Sequence, residues 1–357
     1  MIDPCFNLVL PHLQTPDADT LWVADENALG AAQALTARSH LQCITNRYDI
    51  YQEMRATGLA ASFSDYDFST IDDESLDCIV YRVSKERAVV HHVINNALRT
   101  LRPEGKLVLV GEKNDGIKGY ADKAGKLFGM KAPAKKTGLF YTANAVKKVR
   151  LEKENSEDYL LDDKNYTSLR PTGTLTVNSE ALEIYSKPGQ FGWNKQDQGS
   201  ELLIKTAEQL FGNTKFPESI LDLGCGYGYL SLSTKNWNTS VRAATDNNAA
   251  AIASSKMSFA SAKMNVSVTA DDCGTNILDT FDCILCNPPF HQGFNNDSEL
   301  TKKFLKNAGR LIKKSGIALF VVNQFISLEV LAKPYFSTVK VVESDGQFKV
   351  IALTHDS

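Results

Sequence analysis

Asn287, Pro288, Pro289 and Phe290 stand directly after "FDCILC" (281–286), a run with the composition of a buried strand. Two consecutive prolines lack backbone donors and fix φ, so the chain there continues neither a sheet ladder nor a helix comfortably. Such a rigid, polar-then-aromatic tetrapeptide suits work on an exocyclic base amine, a poor nucleophile whose lone pair is delocalised into the ring. Two acceptors, the Asn287 side-chain oxygen and the Pro288 carbonyl, would hold both amine hydrogens and favour a pyramidal nitrogen. Proline fixes that geometry before a substrate arrives. Phe290 offers a face on which a base taken out of its helix stacks. The plain alternative is a stiff loop that ends a strand. His291 and Gln292 follow and serve either to touch a substrate or to close the loop.

A second stretch gives the tetrapeptide a setting. In "SILDLGCGYGYLSLS" (219–233), Ile220 to Leu223 read as a strand, Gly224-Cys225-Gly226-Tyr227-Gly228 as a tight turn, and the residues after it as a helix. Glycines let the backbone turn sharply and let a ligand approach without interference from Cβ. A dinucleotide fingerprint would place glycine at position 229, which is Tyr229, so that reading fails. The next expected strand, "VRAATD", ends at Asp246, where a carboxylate can accept both ribose hydroxyls. A third, "VSVTA" (266–270), runs into Asp271 and Asp272, and Asp272 would reach an adenine amino group. A helix-capping role for Asp246 and a simple loop acid for Asp272 are the alternatives.

The form Asp222-x-Gly-x-Gly-x-Gly resembles motif I of S-adenosylmethionine-dependent methyltransferases, and Asn-Pro-Pro-Phe resembles the motif of amino-methyltransferases. In a doubly wound sheet ligands bind beyond the carboxyl ends of the strands, so both motifs would meet at one edge. The resemblance implies that Asp222, Gly224, Cys225, Gly226, Gly228, Asp246 and Asp272 hold S-adenosylmethionine. The transferred methyl is already activated as a sulfonium, so proximity supplies much of the acceleration and no metal or strong base is needed.

The same plan is written twice in the chain. "LDCIVY" (76–81) parallels "FDCILC", and "INNALRTLRPEGKLVLVGE" (94–112) parallels "LKNAGRLIKKSGIALFVVN" (305–323). Each copy reads as strand, connection, amphipathic helix, basic turn and strand. The fold class expected is therefore α/β, with two tandem Rossmann-like domains, each a mostly parallel sheet with helices on both faces. The polar, turn-rich stretch 151–174 marks the boundary, giving domains 1–155 and 156–357. After it come a short hairpin in "LTVNSEALEIYSKPG" and a long helix, "GSELLIKTAEQLF", for which Ser200 is the expected N-cap. The first copy's loop, "LWVADENALGAAQA" (21–34), keeps one glycine, Gly30, and its counterpart to Asn-Pro-Pro-Phe is "RVSK" (82–85). Neither can cradle a cofactor or hold an amine, so the first domain reads as a catalytically silent duplicate.

At 357 residues with 43% hydrophobic and 23% charged residues, the chain has an ordinary globular composition. A net charge of -3 gives no global nucleic-acid signal. The local balance differs: from Arg99 to Lys153 there are 14 Lys or Arg against 5 Asp or Glu. Lys131, Lys135, Lys136, Lys147, Lys148 and Arg150 are candidates for phosphate contact, with a solvated charged surface as the alternative. Seven scattered cysteines, no charged-then-apolar leader and no run of 18 apolar residues lead to the expectation of a reduced, cytoplasmic protein without a membrane span. Cys283 and Cys286 lie three apart on an expected strand, on opposite faces, which argues against a metal site.

Three segments, "FGWNKQDQGSELL" (191–203), "NPPFHQG" (287–293) and "GQFKVIAL" (346–353), are similar to the guanine-N2 methyltransferases of ribosomal RNA. Among these they most resemble the family acting on 16S RNA of the small subunit, methyltransferase C. That resemblance implies two tandem methyltransferase-like domains, the first without cofactor, and methylation of a guanine N2 amine in ribosomal RNA. It is convincing over the second domain and covers the first in plan, with "KKTGLFY" as a local match. Phe191 and Asp197 match the family segment ahead of the glycine loop, as pocket-lining residues or as a packing aromatic and a capping acid. Large-subunit guanine-N2 methylation, adenine or glutamine targets, and a non-catalytic RNA-binding assembly factor are the alternatives.

Overall fold

Both halves of the chain build the same seven-stranded sheet. The computed structural model describes residues 3–148, 160–190, 192–193, 197–212, 215–289 and 296–356. They form two compact units, Met1–Ser168 and Leu169–Ser357.

The first unit comprises α1 (Phe6–Leu13), β1 (Thr20–Ala24), β2 (Leu41–Thr45), α2 (Tyr48–Ala56), β3 (Ala60–Phe63), β4 (Leu76–Arg82), α3 (Arg87–Thr100), β5 (Leu101–Glu112), α4 (Ile117–Phe128), β6 (Lys135–Thr137) and β7 (Phe140–Val146). The strand order is β3-β2-β1-β4-β5-β7-β6. Pairing is parallel from β3 through β5, and β7 and β6 then add antiparallel. All five residues of β1 are buried, as expected for a strand covered on both faces by crossover helices.

The second unit opens with the hairpin β8 (Arg170–Val177) and β9 (Glu180–Ser186), whose turn residues Asn178 and Ser179 both take positive φ. That backbone matches the twist of the flanking strands. There follow α5 (Gln198–Phe211), β10 (Ser219–Leu223), α6 (Tyr229–Ser233), β11 (Val241–Asp246), α7 (Ala249–Ser261), β12 (Ser267–Ala270), β13 (Phe281–Cys286), α8 (Asn296–Leu311), β14 (Ile312–Asn323), α9 (Leu328–Ala332), β15 (Thr338–Ser344) and β16 (Phe348–Thr354). Their order, β12-β11-β10-β13-β14-β16-β15, repeats that of the first unit strand for strand. Even the register irregularity recurs, at Leu76/Cys78 in β4 and Phe281/Cys283 in β13.

Two apolar clusters sandwich the second sheet. Cys283 belongs to the one with Leu203, Trp237 and Phe259, and Cys286 to the other with Phe304, Leu305 and Phe320, so the two thiols lie on opposite faces. Trp237 stacks on Phe216 with ring centroids 5.0 Å apart, a packing role. Among the described residues no helix is long and apolar enough to cross a membrane.

Two expectations are corrected here. The N-cap of α5 is Asp197, whose carboxylate accepts from the Ser200 backbone N–H at 2.8 Å; Ser200 lies inside the helix. A carboxylate at that position reaches the third N–H while its own backbone stays extended. Lys147 is not a phosphate contact. It is fully buried, its Nζ donating to the Leu101 carbonyl at 2.7 Å and to Glu74 Oε1 at 3.0 Å. Lys148 is paired with Glu104. Lys131, Lys135 and Lys136 are exposed, and Arg150 lies outside the described residues. Lys147→Met would leave a buried carbonyl without its donor, so thermal unfolding is expected to show a loss of about 1–3 kcal/mol. Wild-type stability in that variant would remove the structural assignment.

Candidate active site

Because β10 pairs in parallel with both β11 and β13, the loops after all three strands emerge at one edge. The glycine loop is pinned there: the N–H groups of Gly224 and Cys225 both donate to the Thr245 carbonyl at 2.9 Å. Gly224, Gly226 and Gly228 all have positive φ, which favours glycine. Their surroundings differ. A Cβ on Gly228 would lie 2.6 Å from the Phe259 ring, whereas one on Gly226 would meet nothing within 4 Å. The loop is thus packed against α7 at one end and has open space beside its centre.

Asp222 lies beneath the loop with no exposed surface. Its Oδ2 accepts from the Ser231 N–H at 2.9 Å and from Ser231 Oγ at 2.8 Å, tying the strand end to α6. Its Oδ1 is buried without a hydrogen-bond partner among the described residues. Burial pushes this carboxyl up to about 7, against the Ser231 bonds, which pull it down. Burial also raises the Cys225 thiol well above its usual range, so it stays a protonated packing group.

Asp246 ends β11 and bridges two loops. Its Oδ2 accepts from Gly226 N–H at 2.8 Å and its Oδ1 from Asn248 N–H at 2.8 Å. Asn248 in turn caps α7 through the Ala250 N–H at 2.8 Å. After β12, Asp271 is buried, accepts from Asn276 N–H at 3.0 Å and leaves Oδ1 without a partner among the described residues. Asp272 is paired with Lys303. Sequence reasoning gave Asp271 no role, although its backbone N–H joins the Asp246 carbonyl at 3.0 Å.

Asn287 follows β13 and is half-buried. Its Nδ2 donates to Asp197 Oδ2 at 2.5 Å and to Ser200 Oγ at 2.9 Å, both at the start of α5. Pro288 is buried and Pro289 half-buried. Phe290, His291, Gln292 and Phe191 lie outside the described residues. The helix start is crowded: a Cβ on Gly199 would come within 3.2 Å of Phe348. The buried Lys349 donates to Glu329 at 2.7 Å. The signal for Asp197 was its place ahead of a helix; nothing in the spacing ties it to a residue 90 positions later.

Comparison with known proteins bears on the same two regions. A family model for the methyltransferase small domain matches residues 181–352, and one for its N-terminal domain matches residues 8–156. The ribosomal RNA small subunit methyltransferase C of Actinobacillus succinogenes is 31% identical over 291 residues, covering 80% of this chain and 81% of that protein. The chain belongs to the ribosomal RNA small subunit methyltransferase C family. The Shewanella loihica relative of the same description is 28% identical over 284 residues, 78% of this chain and 77% of its own. In fold, the chain is similar to the T. thermophilus 16S rRNA N2 G1207 methyltransferase, solved in complex with AdoMet and guanosine. That likeness has a TM-score of 0.83 at 21% identity and covers 99% of this chain and 92% of that one.

Strand register now shows what the first unit of this family member carries at the equivalent edge. Cys78 pairs with Thr20 as Cys283 pairs with Ile220, which makes Trp22 the counterpart of Asp222 and Arg82 the counterpart of Asn287. The same count along β2 sets Thr45 in the place of Asp246. Arg82 is ion-paired with Asp3 at 2.8 Å and lies 3.7 Å from Asp25. An indole, a hydroxyl and a guanidinium thus replace the two carboxylates and the amide.

Gly228→Ala is expected to cost about 1–3 kcal/mol in thermal unfolding through overpacking on Phe259. Gly226→Ala should cost only about 1 kcal/mol yet weaken S-adenosylmethionine binding at least about tenfold in calorimetry; equal effects on stability would contradict the open cradle. The folded state holds the Asp222 proton more tightly than the unfolded chain does. Stability should therefore fall as pH rises from about 4 to about 7 and level off above. Asp222→Asn should flatten that part of the Tm-against-pH curve, and an unchanged slope would place the titration elsewhere.

Proposed function

We propose that this chain is an S-adenosylmethionine-dependent enzyme that methylates the exocyclic N2 amine of a guanine in 16S ribosomal RNA. The observation carrying the reading is Asn287 at the carboxyl edge of β13, its Nδ2 tied back and its Oδ1 without a partner among the described residues, beside the glycine loop. Membership of the family supports the target, as do the activity and bound ligands of the T. thermophilus enzyme. The small ribosomal subunit is the substrate we favour, and a cytoplasmic location follows from that choice.

The residues present fit the donor. The open space beside Gly226 is a cradle that a Cβ would fill, and Asp222 and Asp271 each keep a buried oxygen without a partner among the described residues. Asp246 would exchange one of its backbone bonds for the ribose hydroxyls, with Asp272 toward the adenine amine. S-adenosylmethionine supplies a methyl group already activated as a sulfonium. Asn287 Oδ1 and the Pro288 carbonyl would accept the two amine hydrogens, drawing the lone pair out of conjugation and toward the methyl group. Phe290 would stack the base. The methylated nitrogen is then strongly acidic and gives up its extra proton to water, so positioning does most of the work.

The first unit takes no donor in this reading, because Trp22, Thr45 and Arg82 occupy the key positions. Residues 1–155 would instead serve RNA binding, with the exposed Lys131, Lys135 and Lys136 toward phosphates, and residues 156–357 would carry catalysis.

Labelled S-adenosylmethionine offered with unmodified small and large subunits separately, followed by mass spectrometry of digested nucleosides, tests the proposal. N2-methylguanosine is expected from the small subunit alone. Asn287→Ala should abolish it while calorimetric donor binding persists. Product from the large subunit only would move the target, and none from either, despite donor binding, would overturn the reading.

A further inference from the structure

The contact between α5 and the catalytic loop gives Asp197 and Ser200 more to do than cap a helix. An ionised carboxylate only accepts hydrogen bonds, so the atom of Asn287 that sits 2.5 Å from Asp197 Oδ2 must be the amide nitrogen. The second hydrogen of that nitrogen goes to Ser200 Oγ at 2.9 Å. Both donors of the amide are consumed on one side, and only Oδ1 remains for a substrate. With the amide turned over, its oxygen would face a carboxylate and its NH2 would meet the donor hydrogens of the target amine.

The two partners are themselves held. Asp197 Oδ2 also accepts from Ser200 N–H at 2.8 Å, and the Asp197 carbonyl accepts from Glu201 N–H at 3.1 Å. The turn between them is tight at Gly199, where a Cβ would press on Phe348 and on Asp197 Oδ2, each at 3.2 Å. Tyr227 of the glycine loop lies against Asp197, whose charge adds to the effect of burial in raising its hydroxyl. One aspartate therefore stands between the loop of the donor and the residue that holds the acceptor.

We propose that Asp197 and Ser200 are positioning residues that fix the amide of Asn287 in the single orientation that accepts from the target amine. The proposal rests on the reading that Asn287 holds that amine. It makes the start of α5 part of the acceptor site, reaching Asn287 across 90 residues of sequence.

A reciprocal exchange tests it. Asn287→Asp alone sets two carboxylates against each other, and kcat is expected to fall about a hundredfold or more, with Tm lowered and donor Kd unchanged. Adding Asp197→Asn restores an NH2 facing a carboxylate, but that nitrogen replaces the oxygen that also caps the Ser200 N–H. The double variant should recover kcat about tenfold or more over Asn287→Asp and regain part of the Tm, the lost cap holding it below wild type. A residue that only caps the helix would give additive losses in both rate and Tm, and that result overturns the positioning assignment. Absence of N2-methylguanosine from the wild type would instead overturn the functional reading, and the Tm cycle would still report whether Asp197 holds the amide. Recovery of Tm without recovery of kcat would leave a structural contact and defeat the catalytic role.

Discussion

The parallel pairing of β10 with both of its neighbours is the constraint on which everything at this edge depends. Parallel strands need crossover connections, so each strand end is followed by a free loop rather than a tight hairpin. Three such ends converge within the second unit, and each supplies a different group: the glycine backbone, the Asp246 carboxylate and the Asn287 amide. The single bond from Gly226 N–H to Asp246 locks two of these loops together. The contact from α5 to Asn287 locks the third. Chemistry that works by placement needs this kind of over-determined scaffold, because a reacting atom displaced by an ångström loses much of its rate.

The carboxylates near the loop carry different electrostatic loads. Asp222 is wholly buried and holds α6 through Ser231, with the penalty of burial visible in its raised proton affinity. Asp246 is partly exposed and satisfied by backbone donors. Their positions suit different roles: a buried acid stiffens the platform, while a half-exposed one can trade a backbone partner for a ligand.

Much of this was legible in the residues. Strand ends at Leu223, Asp246 and Cys286 follow from apolar runs that stop at glycine, aspartate and an Asn-Pro-Pro sequence, and the duplicated plan follows from the two parallel stretches of sequence. What stayed hidden depends on contacts between distant positions. Lys147 reads as a surface charge because its neighbours are basic, yet its burial is decided by a carbonyl 46 residues away. Ser200 reads as a cap because it is a serine before a helical pattern; the true cap lies one turn earlier, where the Asp197 carboxylate accepts from the N–H of Ser200 itself. The substitution of Trp22, Thr45 and Arg82 for the site residues becomes visible only once the strand register is known. The pairing of Asn287 with α5 leaves no local pattern at all.

The filled edge of the first unit has a thermodynamic corollary. Its Asp3–Arg82–Asp25 group carries its own counter-charges, so under the proposed reading that half would draw no stability from the donor. The second half keeps orphaned acceptors and an open cradle, and any molecule that completes them is linked by mass action to its folded state. In a cell the robustness of one half would therefore be set by sequence, and that of the other would track the supply of its methyl donor.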